Sequence, residues 1–311
     1  MSVHGVETIM KKISIRWKAE HTQDQSGKIA VVTGSNTGIG YHMALTLADK
    51  GAHVILACRN EEKAESAKSR MLKTSPNANI TVQILDLADL ASIELFANQM
   101  KKSHKHLDIL INNAGVMIPP KSVTKDGFEL QIGTNHFGHF ALTSLLMPLL
   151  AVAKAPRIVT LSSIAHWSGQ IDFEDINGVN KKYNKWRMYS QSKLANLLFA
   201  LELDRRLKAA GSHIESLGSH PGYSATDLQR HSIARILNPL LGIAPVKGAA
   251  PTLYAATESD ALIHRYWGPV GALEARGWTG KANITERAAD EDVARRLWEL
   301  TEKATGIQFV I

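Results

Sequence analysis

Residues 28–115 alternate between two kinds of segment that differ in the pattern of their apolar positions. Four short runs, rich in β-branched residues and bounded by turn residues, have the pattern of buried strands. They read "KIAVVTG", "HVILACR", "ITVQILD" and "LDILINNAG". Amphipathic stretches of helical length separate them, namely "GYHMALTLADKGA", "NEEKAESAKSRMLKT" and "LASIELFANQMKKSH". Such crossover connections predict a parallel sheet covered by helices on both faces.

The same alternation continues toward the C-terminus. It predicts a long helix near residues 126–150, a strand "RIVTLSS", a helix from Met188 and a strand "HIESLGSH". The stretch "DEDVARRLWELTEKATG" predicts a final amphipathic helix that ends at Gly306. No internal repeat or sharp change of composition marks a boundary. We therefore expect one α/β domain over residues 27–311, preceded by an N-terminal extension over residues 1–26.

The extension has an amphipathic pattern of its own. One helical face carries apolar side chains and the opposite face is basic; the apolar ones are Val6, Ile9, Met10, Ile13 and Trp17. A helix of this kind docks either on a membrane surface or on its own domain. We favour packing on the domain, because that is the commoner role of such a segment.

Composition narrows the class of protein. A hydrophobic content of 44% and a charged content of 21% are ordinary for a globular protein, and no run reaches the roughly 20 apolar residues of a membrane span. The N-terminus lacks the apolar core of a signal peptide, so a cytoplasmic location is expected. The single cysteine, Cys58, excludes an internal disulfide. The net charge of +7 comes from basic residues scattered among acids, which favours a solvated surface over nucleic-acid binding.

A glycine-rich turn, "VVTGSNTGIG", follows the first predicted strand and opens the first helix. Glycines allow a tight turn and a close approach of the backbone to a phosphate, and the amides at a helix N-terminus attract the anion. The alternative is a purely structural turn, but the position between strand and helix favours a dinucleotide site. Its predicted cofactor contacts are Gly34, Ser35, Asn36, Thr37, Gly38, Ile39 and Gly40.

Tyr189 and Lys193 lie four residues apart at the start of an otherwise apolar helix, and hence on one face of it. The pKa of a phenol is near 10, and a lysine charge about 4 Å away stabilises the phenolate by ~4 kcal/mol before solvation costs. The pair therefore predicts a general acid and base whose pKa is lowered. The alternative is a tyrosine at the edge of the core beside a lysine that extends to solvent.

The glycine spacing, Asn112-Asn113-Ala114-Gly115 and Tyr189-x3-Lys193 together resemble the short-chain dehydrogenase/reductase family, over about residues 27–307. "SSIAHWSGQIDFEDIN", "SHPGYSATDLQ" and "YWGP" are most similar to its retinol dehydrogenase and WW-domain oxidoreductase-like branch. The resemblance implies a Rossmann-type doubly wound parallel sheet of about seven strands. It also implies hydride transfer between a nicotinamide cofactor and a carbonyl or alcohol.

The resemblance assigns four catalytic residues. Tyr189 exchanges the proton, Lys193 also binds the nicotinamide ribose, Ser163 binds the substrate oxygen, and Asn135 completes the set. Ser162 is the alternative to Ser163. Because an asparagine inside an apolar helix is unfavourable, Asn135 should have a buried partner.

A metal site is not expected. His136 and His139 lie three residues apart, but no third ligand is spaced suitably near them. A satisfied or an exposed histidine pair is the simpler interpretation.

The cofactor preference follows from the end of the second strand. An NAD-binding relative carries an acid where this chain has Cys58, and Arg59 comes next, followed by Asn60. A guanidinium binds the 2′-phosphate of NADP, which no carboxylate at this place repels. We therefore expect NADP(H) to be preferred over NAD(H). The alternative is that Arg59 pairs with Glu61 or Glu62 at the surface.

Further cofactor contacts are implied by the resemblance alone. On the adenosine side, the expected contacts are Asp86 and Leu87 after the third strand and the turn Asn113, Ala114 and Gly115. On the nicotinamide side, they are Pro221, Gly222 and Thr226 in a later loop. Asp86 could instead cap the following helix, and the later loop could be a plain turn.

The region over about residues 223–248 includes "HSIARILNPLLGIAPVKG", and the resemblance places a substrate-covering loop there. Its apolar character suggests an apolar substrate, although a helix packed against a second copy in a homo-oligomer fits equally well. The sequence thus predicts an NADP(H)-dependent oxidoreductase of ketones, aldehydes or alcohols. The rival function is a non-catalytic NADP(H) sensor on the same fold.

Overall fold

A computed structural model describes residues 14–223 and 244–311. In these residues the chain forms one nine-stranded sheet. Its strands are β1 (Ser14–Ile15), β2 (Ile29–Thr33), β3 (His53–Cys58), β4 (Asn79–Ile84), β5 (Ile109–Asn112), β6 (Arg157–Leu161), β7 (Glu215–Ser219), β8 (Tyr266–Pro269) and β9 (Thr279–Lys281). Their order across the sheet is β1-β9-β8-β7-β6-β5-β2-β3-β4.

Strands β2 to β8 are mutually parallel, and β9 and β1 extend one edge in antiparallel pairing. The expectation of a doubly wound parallel sheet is confirmed, and the strands quoted from the sequence all occur. The sequence pattern gave no indication of β1, β8 or β9, because strands of two to four residues are too short to show a clear apolar run.

Helices cover both faces of the sheet. They are α1 (Gly38–Asp49), α2 (Glu61–Thr74), α3 (Leu90–Ser103), α4 (Leu130–Ile132), α5 (Gly138–Leu150), α6 (Lys185–Ala209), α7 (Pro245–Thr257), α8 (Glu286–Ala289) and α9 (Glu291–Thr305). On one face, α1 and α7 pack through residues such as Met43 and Leu253. On the other, α3, α5 and α6 pack through Phe96, Phe140 and Phe199. The sheet is therefore buried on both sides, as a parallel sheet requires.

The predicted long helix near residues 126–150 is present but interrupted. Between α4 and α5, residues Gly133–Phe137 form a π-helical segment. Such segments widen a helix locally and often lie at functional sites. This segment contains Asn135, so the irregularity lies at a residue that the resemblance identifies as catalytic.

The described part of the N-terminal extension packs on the domain. Ser14–Ile15 pairs with β9, and the buried Trp17 packs edge-on against Tyr254 of α7, with ring centroids 5.6 Å apart. This part is a strand followed by a short 3-10 turn rather than the predicted helix. The remaining apolar residues of that predicted helix, up to Ile13, lie outside the described residues. Along the described ranges, every helix is too short or too polar to cross a bilayer, and the cytoplasmic location stays a prediction.

Candidate active site

The predicted site residues follow the ends of five parallel strands. Gly34 comes after β2, Arg59 after β3, Asn113 after β5, Ser163 after β6 and Pro221 after β7. Since these strands are parallel, all five positions lie at the same edge of the sheet. The order of strands reverses between β2 and β5. A crevice at such a switch point is where doubly wound sheets bind ligands.

The glycine-rich turn has the close packing that glycine permits. Gly34 and Gly38 have positive φ angles of 64° and 60°. A Cβ atom on Gly40 would lie 2.5 Å from Asn113 Nδ2 and 2.6 Å from the carbonyl oxygen of Gly34. The Thr37 side chain does not cap α1, and the first turn of α1 contains no acidic residue. The turn therefore presents backbone amides to an anion without a nearby carboxylate.

The side chains inside this turn point in different directions. Ser35 is buried, and its hydroxyl donates to the carbonyl oxygen of Val32 at 2.8 Å. The carbonyl oxygen of Asn36 accepts from the Arg70 guanidinium at 3.1 Å. Arg70 also lies over the Tyr41 ring, 4.9 Å from its centroid. Ser35 thus faces the turn's interior, while α2 places a second guanidinium beside the turn.

The end of β3 carries no carboxylate. Cys58 is buried, and burial raises the pKa of its thiol. Arg59 is exposed, and within residues 14–223 and 244–311 it forms no ion pair with Glu61 or Glu62. The side chain of Asn60 accepts from the Lys63 amide at 2.8 Å and so caps α2. The surface-pair alternative for Arg59 is wrong in this structure, and the Asn60 side chain is occupied by the helix.

Asp86 does not cap the helix that follows it. Its Oδ1 accepts from the Ala88 amide at 3.0 Å, whereas the cap of α3 is Asp89, which accepts from Ala91. The capping alternative for Asp86 is therefore wrong. The neighbouring Leu87 is buried.

The Asn113–Gly115 turn is fixed to the end of β2. The hydroxyl of Thr33 accepts from the amides of Asn113 and Ala114, each at 2.9 Å. The Asn113 side chain donates to the Thr33 carbonyl at 2.6 Å. A Cβ atom on Gly115 would lie 3.1 Å from Asn135 Oδ1 and 3.5 Å from Lys193 Nζ. This turn therefore touches the glycine-rich turn on one side and the catalytic candidates on the other.

Asn135 has the buried partners that its position in an apolar helix requires. Its Oδ1 accepts from the Val116 amide at 2.8 Å, and its Nδ2 donates to the Val116 carbonyl at 3.0 Å. Nδ2 also donates to the hydroxyl of Ser192 on α6 at 2.9 Å. The amide thus links the π-helical segment, the loop after Gly115 and the helix that carries Tyr189. The expectation of a buried partner is confirmed.

Tyr189, Lys193 and Ser163 lie together at the start of α6. Tyr189 and Lys193 are buried, with 5% and 3% of their surface exposed. Lys193 Nζ lies 5.9 Å from the Tyr189 ring centroid and donates to the Leu161 carbonyl at 3.3 Å. The hydroxyl of Ser163 lies near the Tyr189 phenol and acts to lower its pKa, while its Oγ accepts from the Ala165 amide at 3.2 Å. Ser162, by contrast, donates to the Lys193 carbonyl at 2.7 Å, so its hydroxyl faces the α6 backbone.

The pKa values differ from the expectation drawn from the sequence. Burial raises the pKa of Tyr189 to about 12, although the nearby Ser163 hydroxyl acts in the opposite direction. Burial lowers the pKa of Lys193 to about 8. The expected lowering of the phenol pKa is therefore wrong for the protein alone. Desolvation is the main cause of the raised phenol pKa, and the same burial disfavours the charged form of Lys193.

His136 and His139 are both buried, but only His139 has a partner for each ring nitrogen, since Nδ1 of His136 has none among the described residues. His136 Nε2 lies 3.0 Å from the Thr301 hydroxyl, while His139 contacts Thr33 and the Asn135 carbonyl. Burial lowers the pKa values of the two histidines to about 3 and about 4. Among the described residues no cluster of three metal-ligating side chains occurs. Nothing in the sequence indicates that His139 contacts Thr33 beside the site, because no spacing of polar residues reveals a contact between residues so far apart.

The loop after β7 is only partly described. Gly222 has a positive φ of 69°, and its amide donates to His220 Nδ1 at 3.2 Å. A Cβ atom on Gly222 would lie 2.5 Å from the Ala275 carbonyl oxygen. Pro221 and Gly222 thus lie at the edge of the site, while Thr226 and residues 224–243 of the predicted substrate-covering region lie outside the described residues.

These features fit a dinucleotide. Gly34 and Gly40 pack too closely to leave room for a Cβ atom, the first turn of α1 has no acidic residue, and an exposed guanidinium follows β3. Features of this kind suit a pyrophosphate and an adenosine ribose. The phenol, ammonium and serine hydroxyl lie on the far side of the Asn113–Gly115 turn. The arrangement separates turns that fit a dinucleotide from side chains that can exchange protons.

Comparisons with known proteins agree with this geometry. The family model for short chain dehydrogenase matches residues 28–236. Human retinol dehydrogenase 13 is 42% identical over 292 residues, which cover 91% of this chain and 86% of that protein. Human retinol dehydrogenase 11 is 42% identical over 287 residues, which cover 90% of this chain and 86% of that protein.

Solved structures have the same fold. An uncharacterised protein from Mycobacterium paratuberculosis superposes with a TM-score of 0.81 at 41% identity, covering 96% of this chain and 100% of that one. RhlG from Pseudomonas aeruginosa, solved as an NADP active-site complex, gives a TM-score of 0.62 at 25% identity, covering 78% and 94%. From its fold, its site and these relatives, the chain belongs to the retinol dehydrogenase branch of the short-chain dehydrogenase/reductase family of oxidoreductases.

Proposed function

We propose that the protein is an NADP(H)-dependent oxidoreductase that interconverts a ketone or aldehyde and its alcohol. The observation that carries the proposal is the buried phenol of Tyr189, with Ser163 beside it and Lys193 Nζ 5.9 Å from its ring centroid. A buried hydroxyl in contact with a second hydroxyl is suited to hydrogen-bond one substrate oxygen and to exchange a proton with it. A bound nicotinamide supplies or accepts the hydride.

Each side chain has a distinct task in this proposal. Ser163 orients the substrate oxygen toward Tyr189, and the phenol donates its proton during reduction or accepts one during oxidation. Lys193 provides positive charge beside the phenol, which favours the phenolate as the proton leaves. Asn135 holds the loop at Val116 next to α6, and so keeps the wall of the site in place.

The raised pKa of Tyr189 favours its role as an acid. A phenol whose pKa is about 12 is protonated at neutral pH, and is therefore ready to donate during carbonyl reduction. Oxidation of an alcohol requires the phenolate instead, which the buried site disfavours. We therefore propose that Tyr189 is the proton donor when a carbonyl is reduced.

The cofactor proposal rests on cations near the end of β3. Arg59 is exposed directly after Cys58, where an acid would repel a 2′-phosphate, and Arg70 lies against the Asn36 carbonyl of the neighbouring turn. RhlG, which shares the fold, was solved with NADP at its active site. We therefore propose NADP(H) in preference to NAD(H).

The substrate proposal is an apolar carbonyl or alcohol. The relatives are named for retinol, an alcohol with a long apolar chain. The residues over 231–248 are rich in Ile and Leu, and the described side chains of Leu273 and Trp278 beyond them are 77% and 43% exposed. Exposed apolar side chains next to a catalytic edge favour an apolar ligand.

The proposal is tested by a screen of aldehydes and ketones in which NADPH consumption is followed by absorbance. The screen compares the turnover of retinal-like compounds with that of short-chain compounds. Replacing Tyr189 by Phe should lower kcat by about 10² or more, because it removes the proton donor. The matched control is Tyr183→Phe, since that phenol donates to Glu129 at 2.8 Å and takes no part in the site. Turnover that survives Tyr189→Phe contradicts the mechanism. NADPH binding without turnover of any carbonyl supports the rival sensor function.

A further inference from the structure

The side chain of His139 joins two parts of the site that different elements supply. His139 Nδ1 lies 2.9 Å from the carbonyl oxygen of Asn135, in the π-helical segment. His139 Nε2 lies 2.9 Å from the hydroxyl of Thr33, at the end of β2. All three residues are buried, with at most 1% of their surface exposed. Both ring nitrogens are therefore used, and neither contact is shared with water at the surface.

The two contacts fix the tautomer of the ring. A carbonyl oxygen only accepts, so Nδ1 carries the proton and donates to Asn135. A neutral imidazole then offers Nε2 as an acceptor, and the Thr33 hydroxyl must donate to it. Burial and the nearby charge of Lys193 lower the pKa of His139 to about 4, although the bond to Asn135 acts in the opposite direction. The ring is therefore neutral at physiological pH.

The direction of the Thr33 hydroxyl determines what its oxygen can accept. With its proton directed to His139, the oxygen has two lone pairs for the amides of Asn113 and Ala114, both at 2.9 Å. A second acceptor competes for the proton, because the Ile111 carbonyl lies 3.3 Å away. Without His139 the hydroxyl would turn to Ile111, and its lone pairs would no longer point at both amides.

We infer that His139 is a positioning residue that holds the Asn113–Ala114 turn and the Asn135 segment in a fixed relation. It thereby sets the place of the dinucleotide relative to Tyr189 and Lys193. The inference rests on the proposed function, since it assumes that the turn borders a bound dinucleotide. A second histidine offers a comparison: His136 is also buried and lies in the same π-helical segment, yet its ring contacts Thr301 of α9 rather than Thr33.

Calorimetric titration with NADPH tests this on the full chain. His139→Leu removes both the donor and the acceptor, and should raise the dissociation constant about tenfold, the effect of one lost buried hydrogen bond. His139→Gln keeps an amide oxygen within reach of Thr33 and should restore part of the affinity. His136→Leu, the matched control, should lower Tm while leaving the dissociation constant unchanged. A folded His139→Leu with wild-type affinity overturns the inference, as does an equal loss in both Leu variants.

A double-mutant cycle with Thr33→Val separates the hydrogen bond from general loss of packing. If His139 acts through Thr33, the effects of His139→Gln and Thr33→Val on NADPH affinity should be less than additive. Fully additive effects overturn the inference. This test does not need His139→Leu, so it remains available if that variant fails to fold. Wild-type protein that binds neither NADPH nor NADH overturns both the inference and the proposed function. Wild-type protein that binds NADPH normally, with all variants unchanged, overturns the inference alone.

Discussion

The hydroxyl of Ser162 donates to the backbone carbonyl of Lys193 at 2.7 Å, which ties the end of β6 to the first turns of α6. The next residue, Ser163, is only partly buried, and its hydroxyl lies near the Tyr189 phenol. Because successive residues of an extended chain point to opposite sides, two adjacent serines have different tasks. One fastens the helix to the sheet, and the other faces the site.

This difference predicts opposite effects of two conservative substitutions. Ser163→Ala should lower kcat by about 10² or more with little change in Tm, since it removes a hydrogen bond made to the reacting oxygen. Ser162→Ala should instead lower the free energy of unfolding by about 1 kcal/mol, because a buried hydrogen bond is lost. Steady-state kinetics and thermal unfolding on both variants separate the two roles. Equal losses of kcat would show that the serines are not divided in this way.

Arg59 predicts the cofactor preference. Arg59→Ala should raise KM for NADPH about tenfold or more, because charge-assisted hydrogen bonds to a phosphate contribute about 1.5–3 kcal/mol. KM for NADH should change by less than about twofold. Arg70→Ala is a second test, because that guanidinium contacts the Asn36 carbonyl and is the other cation beside the turn. Its loss should raise KM for NADPH more than KM for NADH. An NADPH/NADH ratio that is unchanged in Arg59→Ala contradicts the assignment.

Buried Lys193 predicts a trade-off between stability and activity. Burial lowers the pKa of Lys193 from 10.5 to about 8. Below pH 8 the ammonium is therefore charged in the folded state, and keeping this charge buried lowers the free energy of unfolding by about 3 kcal/mol. Lys193→Met should therefore raise the free energy of unfolding at pH 7 while abolishing turnover. The Leu161 carbonyl keeps a donor in this variant, because Asn196 Nδ2 lies 2.9 Å from it.

The sign of the pH dependence follows from the same shift. Between pH 8 and pH 10.5 the folded state has released the Lys193 proton while the unfolded state still holds it, so the stability of the wild type rises with pH. The advantage of Lys193→Met should accordingly be large at pH 7 and nearly absent at pH 10.5, as measured by urea unfolding. Lys185→Met, at the exposed start of the same helix, should change stability by less than about 0.5 kcal/mol at both pH values. If the gain in stability of Lys193→Met were the same at both pH values, improved packing rather than the lost charge would be its cause.

The fold and the site differ in how much of them could be predicted from the sequence. The strands of the parallel sheet are apolar runs, and the residues after them meet at one edge by topology alone, so Gly34, Asn113 and Ser163 could be placed together. The Thr33–His139 contact joins residues that are 106 positions apart, and no local pattern encodes such a contact. The pKa of Tyr189 could not be predicted either, because it depends on how completely the helix start is buried. Charge proximity alone gave the wrong direction.

Gly40 offers a test of the cradle itself. Its Cβ position lies 2.5 Å from Asn113 Nδ2 and 2.6 Å from the Gly34 carbonyl, so an alanine there would force the two turns apart. Overpacking of this kind costs about 1–3 kcal/mol, and the displaced atoms are those that border the expected pyrophosphate. Gly40→Ala should therefore abolish measurable NADPH binding and lower Tm.

The control is Gly211→Ala, where φ is 68° and nothing lies within 4 Å of the Cβ position. That variant should lower Tm through backbone strain of about 1 kcal/mol, yet bind NADPH normally. Because both glycine variants lose stability and only one intrudes on the turn, NADPH affinity distinguishes a cofactor cradle from a turn that serves the fold alone.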